Sequence, residues 1–365
     1  MSKAVYLHIP FCASICSYCD FTRCGYNESL ADQYLKALKM QVDQLQGPYE
    51  TFYIGGGTPT SLSAAQLTSL FDLLEPYLST CKEITMEVNP ETMNEEKYYI
   101  LQHSRVKRVS IGVQSTEPST LLEMNRKHRF EDVIFCVQQF KQRGIHNFSL
   151  DLIYGWPNQT LADLARDLER LVALDPPHLS IYSLTIEPNS ELGRHHIEPV
   201  SVDLETQMFE YIVTTLKQAG YRHYEVANFC KSGYESAHNQ VYWRYDDFTG
   251  IGLGASGKQG ATRYTNTTKF LQYLENPLKR EEEIFLTPQD QYFEYLMMNL
   301  RTDTGVSFEH FEEKFKLKFD KAFNQDQSKI QTFVDAGFLV HTPSRLWATS
   351  TGRMMLNDIL LAFME

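Results

Sequence analysis

FSLDLIYG (residues 148–155) and HLSIYSLTI (residues 178–186) are apolar on both faces, with serines and Asp151 as the main polar interruptions. Short apolar runs of this kind suit strands covered on both sides, as in a parallel sheet. Between them, residues 161–174 carry leucines at helical spacing. The same pairing recurs toward the N-terminus. Residues 4–10, 51–55, 83–89 and 108–114 read as strands. Leu35, Leu38, Val42 and Leu45 mark one apolar helical face, and residues 66–78 follow the capping serines Ser61 and Ser63. Residues 94–103, 130–143 and 205–220 continue the series.

Six strand–helix units predict a parallel sheet with right-handed crossovers. They are too few for a closed eight-stranded barrel, which leaves a partial (β/α)6 barrel or an open doubly wound sheet. In either, chemistry gathers at the carboxyl ends of the strands. The pattern changes near residue 220, so the expected organisation is a barrel over 1–220, a small β extension over 221–286 and a C-terminal unit over 287–365. In the extension, residues 223–230, 241–245 and 262–267 read as short strands, and GIGLGASGKQG as a Gly-rich turn. The C-terminal unit reads as helices at 287–300, 307–315 and 325–336, a ribbon at 338–349 and a last helix at 353–364, which resembles a winged helix. Its 8 basic and 11 acidic residues disfavour DNA and favour packing or partner docking.

The chain has 365 residues, 34 Lys+Arg against 46 Asp+Glu, and a net charge of −12, a balance that repels phosphate backbones. No apolar run approaches the roughly 18 residues of a membrane helix, and the start has no secretory pattern, so a cytoplasmic location is expected. Four of the seven cysteines fall within residues 12–24, a clustering that suits metal or redox chemistry rather than a disulfide framework.

Cys12-Ala-Ser-Ile-Cys16-Ser-Tyr-Cys19 is C-x3-C-x2-C, just past the first strand. Three thiolates can hold three irons of a cubane cluster and leave the fourth open to a chelating small molecule. A zinc site completed by His8, or a Cys16–Cys19 redox pair, is the competing reading. The other strand ends offer suitable polar groups. Gly55-Gly56-Gly57-Thr58 exposes backbone after the second strand, Glu87 and Gln114 close the third and fourth, Arg126 follows, and Asp151 lies within the fifth.

C-x3-C-x2-C after the first strand of a partial barrel is the signature of the radical SAM superfamily. Together YLHIPFC, GGGTPT, EVNP, GVQS, DLIYG and YSLTIEPN resemble its coproporphyrinogen-oxidase-like branch over essentially the whole chain. The resemblance implies a [4Fe-4S] cluster on Cys12, Cys16 and Cys19. It implies S-adenosyl-L-methionine at Tyr6, Gly56, Gly57, Thr58, Glu87, Gln114, Arg126 and Asp151. Within the branch, the chain is similar to the HemW type of haem chaperone rather than to the oxygen-independent coproporphyrinogen III oxidases. Phe21 stands where the oxidases carry a fourth cysteine, the first strand begins by Ala4 with no long segment ahead of it, and His238-Asn-Gln-Val-Tyr242-Trp243 matches the H-N-x-x-Y-W motif.

That motif supplies an imidazole, His238, and aromatic wall residues, Tyr242 and Trp243, for a haem; Cys230, Tyr242 and His223 are rival ligands. Ser256 occupies a position where relatives often have His, and Trp156 and Asn158 are milder departures. The resemblance implies a protein that passes haem to an acceptor, such as a haem-requiring respiratory enzyme, and is compatible with a homodimer. Whether such a chain is an enzyme stays open. The alternatives are oxidative decarboxylation of coproporphyrinogen III and a zinc-stabilised interaction scaffold.

Overall fold

The computed structural model describes residues 2–364. Six parallel strands form its centre: β1 (Ala4–Ile9), β2 (Thr51–Gly56), β3 (Glu83–Val88), β4 (Arg108–Gln114), β5 (Asn147–Tyr154) and β6 (His178–Ser183). They alternate with α1 (Glu28–Val42), α2 (Ala64–Leu78), α3 (Glu95–His103), α4 (Phe130–Gln142) and α5 (Leu161–Ala173), and α6 (Val202–Gln218) follows β6. The strands lie side by side in chain order. A doubly wound sheet reverses its direction of growth; here each strand adds to the same side, which is the winding of a barrel left open.

Local signals set the helix starts. In α2 the Ser63 hydroxyl accepts from the Gln66 N–H (3.2 Å) while the Gln66 carboxamide accepts from the Ser63 N–H (3.1 Å). In α5, Leu164, Leu168 and Leu171 are buried against the sheet. Asp167 is fully buried on the same helix. It accepts from the Thr116 N–H (2.7 Å) and hydroxyl (2.6 Å), which ties α5 to the turn after β4.

The extension departs from expectation in three ways, and first, residues 223–230 form not one strand but two short antiparallel ones, Arg222–His223 and Asn228–Cys230. Residues 241–245 are not a strand: Val241, Tyr242 and Trp243 lie in the helix α7 (Ala237–Trp243). Ser236 caps it, and the buried Glu83 carboxylate accepts from the N–H groups of Ala237 and His238, both at 3.0 Å. This anchoring outweighs the β preference of a Val-Tyr-Trp run. GIGLGASGKQG is likewise no simple turn, since it holds the end of β7 (Phe248–Ile251) and the start of β8 (Ser256–Gln259). A Cβ on Gly257 would lie 2.4 Å from the Tyr264 ring, so this glycine answers to close packing between strands.

With β9 (Thr262–Asn266) and β10 (Arg280–Phe285), these strands continue the main sheet. β7 pairs parallel with β1, from Ala4↔Phe248 to Leu7↔Ile251, as a seventh parallel strand. The extension is thus continuous with the sheet. Residues 288 onward have their own core, with Tyr295, Phe311, Phe319 and Leu346 at its centre. It is built on α8 (Pro288–Leu300), shorter helices and a three-stranded sheet that recruits Val306–Ser307 beside the expected ribbon. The expected last helix is two, Ser350–Met354 and Leu356–Ala362. Among the described residues no helix is long and apolar enough to cross a membrane.

Candidate functional site

Side chains at alternate positions of β2 to β5 meet above the middle of the sheet in a cavity of about 430 Å3. Cys12, Cys16 and Cys19 form one wall, and Gly56, Gly57, Thr58, Glu87, Gln114, Arg126 and Asp151 form much of the rest. All the sequence-predicted cluster and S-adenosylmethionine positions converge here except Tyr6. Tyr6 faces the adjoining groove with His8 and Phe21, and its ring lies 6.0 Å from that of Tyr53. No three His, Cys, Asp or Glu side chains among the described residues gather closely enough to share one ion, so what the thiols share is the cavity wall.

Each polar group is held from behind. Glu87 accepts from the Tyr53 hydroxyl (2.9 Å) and the Gly56 N–H (3.0 Å), yet burial pushes its carboxyl up to about 7. Asp151 accepts from Ser110 (2.9 Å) and Ser149 (2.9 Å), and burial raises its pKa too. Arg126 donates to the Gly112 carbonyl (2.7 Å) and the Asn89 side chain (3.0 Å), with the Cys16 sulfur 3.8 Å away. Burial alone would lower its pKa, but nearby groups, chiefly the Glu91 carboxylate, hold it above the usual value. Gln114 takes a left-handed φ of 66° at a register shift in β4, a backbone cost found mainly at functional turns.

The donor set fits a cluster and an amino-acid-bearing cofactor. The Arg126 Nε is buried without a hydrogen-bond partner among the described residues. The glycine turn leaves no room for side chains: a Cβ on Gly55 would lie 2.7 Å from Glu87, and one on Gly57 would lie 2.9 Å from the Cys12 sulfur. Burial pushes the Cys12 thiol up to about 12 and raises that of Cys19. Sequence reasoning left out Tyr53, Asn89 and Ser110, which position the others. Their signal was the two-residue period that puts Tyr53 and Ser110 on the inner face with Gly55 and Gly112.

The three motif residues of α7 are divided between two settings. His238 is 1% exposed, with Nδ1 bonded to the Thr51 hydroxyl (2.9 Å) and Nε2 to the Tyr242 hydroxyl (2.7 Å). Burial, then Arg108, lower its pKa to about 3, so it is neutral. Tyr242 and Trp243 instead line a second cavity, against β7, β8 and α8. Of the rival ligands, Cys230 is buried in a strand and His223 stacks on Phe229, both outside that cavity.

The profile of the Radical SAM superfamily matches residues 6–171, and that of the HemN C-terminal domain matches residues 286–355. Among curated proteins, Heme chaperone HemW of Bacillus subtilis is 34% identical over 382 residues, covering 99% of both chains. Heme chaperone HemW of Escherichia coli is 33% identical, covering 99% of this chain and 98% of the relative. The solved structure of coproporphyrinogen III oxidase (HemN) from Escherichia coli superposes with a TM-score of 0.86 over 99% of this chain and 90% of that one. At 24% identity, that likeness speaks for the fold.

Proposed function

The chain belongs to the HemW family within the radical SAM superfamily, and on that footing we propose that it binds haem and passes it to an acceptor protein. In this reading a [4Fe-4S] cluster and S-adenosylmethionine occupy the strand-end cavity. The observation that carries the cofactor assignment is the meeting of three thiols, a glycine turn, two carboxylates and a buried guanidinium around one cavity. Held by Cys12, Cys16 and Cys19, a [4Fe-4S] cluster would supply one-electron chemistry to S-adenosylmethionine bound beside it.

The chain's own groups do the rest. Cys12, Cys16 and Cys19 give up their thiol protons on cluster assembly, because only thiolates ligate iron. The Thr58 hydroxyl, 3.9 Å from the Cys12 sulfur, donates to it and restrains it. The Gly56–Gly57 backbone lets a methionine amine and carboxylate approach closely. Arg126, already fixed by Gly112 and Asn89, brings a positive charge to the cavity wall for anionic atoms. Glu87 and Asp151 accept from ammonium or ribose hydroxyl donors. For the cargo, Tyr242 and Trp243 offer aromatic faces. His238 acts through Tyr242, whose hydroxyl it fixes. The acceptor in this reading requires haem, as a respiratory enzyme does.

The test is a haem titration run beside an anaerobic incubation of the cluster-reconstituted protein with coproporphyrinogen III and a reductant. A Soret band that saturates, without protoporphyrinogen, is expected. Robust protoporphyrinogen formation would overturn the chaperone reading in favour of the oxidase. Zinc at one equivalent with no acid-labile sulfide in anaerobically purified protein would end the cluster assignment.

A further inference from the structure

The second cavity, about 450 Å3, lies between α7, the strands β7 to β10 and α8, and besides the α7 aromatics only Ser256 of its lining was singled out by the sequence. Its size falls within the usual range for small-molecule sites, about 300–1,000 Å3. Its walls are largely apolar, with the Tyr242 and Trp243 rings on one side. Met297 and Met298, in the last turn of α8, also line it while packing against the C-terminal core. At the rim, Arg263 uses its Nε against Glu294 (3.2 Å) and leaves its terminal nitrogens without a hydrogen-bond partner among the described residues. Flat apolar walls, soft sulfur donors and unspent donors for carboxylates together describe the chemistry of a metalloporphyrin dianion.

The cavity is also placed for exchange with the first site. The groove that holds Tyr6 and His8 shares Asp20 and Phe21 with the thiol-lined cavity, and Tyr242, Phe248 and Ser256 with this one. His238, by contrast, is behind the wall with both ring nitrogens engaged.

We propose that this cavity is the haem seat, with a thioether of Met297 or Met298 as the iron ligand and Arg263 receiving a propionate. The inference rests on the haem-binding reading above and adds to it the ligand and the wall. The iron gains one coordination bond to sulfur, and no electron or proton changes hands.

The experiment titrates ferric and ferrous haem into the full chain, wild type against Met297→Leu/Met298→Leu and Arg263→Gln, following optical spectra and the haem reduction potential. Leu for Met conserves volume, so the fold is expected to persist; circular dichroism and unchanged cluster content check this. The double Leu variant is expected to bind haem at least tenfold more weakly, with a shifted Soret band and a lower potential, since thioether ligation raises it. Arg263→Gln is expected to lose several-fold in affinity with its spectrum unchanged. Wild-type spectra and affinity in the double Leu variant would overturn the inference. Failure of the wild-type chain to take up haem at all would instead overturn the haem-binding reading.

Discussion

Glu87→Gln tests the strand-end cavity most directly. Glu87 sits between the Tyr53 hydroxyl and the glycine turn with its carboxyl pushed by burial from 4.5 to about 7. A group with that pKa is about one-eleventh charged at pH 6 and ten-elevenths charged at pH 8. If the cofactor's donors need the carboxylate, affinity for S-adenosylmethionine rises about tenfold over that interval in the cluster-reconstituted wild type. In Glu87→Gln it is flat with pH. Equilibrium dialysis at fixed ionic strength reads both. Stability of the cofactor-free chain moves the opposite way. The folded pKa is raised, so the stabilisation from keeping Glu87 protonated is complete below about 4.5 and is lost as pH rises through about 7. The whole effect is at most about 3–4 kcal/mol, at about 1.4 kcal/mol per tenfold in proton affinity, and less because the carboxyl borders an open cavity. Denaturant melts should show that slope in the wild type and not in Glu87→Gln. A flat wild-type affinity between pH 6 and 8, or an unchanged slope in the variant, would refute the placement of Glu87 against the cofactor.

Other outcomes follow from the same geometry. Serine at Cys12, Cys16 or Cys19 should each abolish acid-labile sulfide, whereas Cys24→Ser, outside the cavity wall, should retain it by iron and sulfide analysis. Gly57→Ala sets a Cβ 2.9 Å from the Cys12 sulfur and from the Phe11 carbonyl, so the cysteine loop must shift and iron content should fall by half or more while circular dichroism is kept. Glu83→Ala leaves two helix N–H groups at 3.0 Å without their acceptor and should cost about 3 kcal/mol, with faster hydrogen exchange confined to α7. Asp167→Ala unties α5 from the turn after β4 and should cost about 2–4 kcal/mol in a denaturant melt.

The barrel was legible because its strands are buried on both faces and its helices carry both caps and apolar stripes. The residues at 148–155 and 178–186 announce the parallel sheet by themselves. The cluster loop and strand-end groups were legible for a similar reason: each belongs to a short motif whose spacing survives without tertiary context. The α7 region was not. Its helix depends on Glu83, more than 150 residues earlier, whose carboxylate replaces missing backbone partners, and no local pattern reports that. The strand pairing of β7 with β1 was hidden for the same reason, and its glycines mimicked a loop while serving close packing. The thioethers of Met297 and Met298 read as ordinary helix residues until the sheet's far edge is folded against them.

The parallel pairing of β7 with β1 also bears on synthesis. The partner of Ala4 is Phe248, and Lys3 meets Asp246 at 3.2 Å, so one side of the first strand waits for roughly 240 residues of chain. At about 5–20 residues per second on the ribosome, that is roughly 10–50 s during which β1 is an edge strand. β1 stays open on that side throughout, while its other edge is already paired with β2, from Ala4↔Thr51 to Ile9↔Gly56. Over that interval the exposed N–H and C=O groups of β1 can pair with another strand, so a nascent chain of this kind is open to mispairing until β7 emerges.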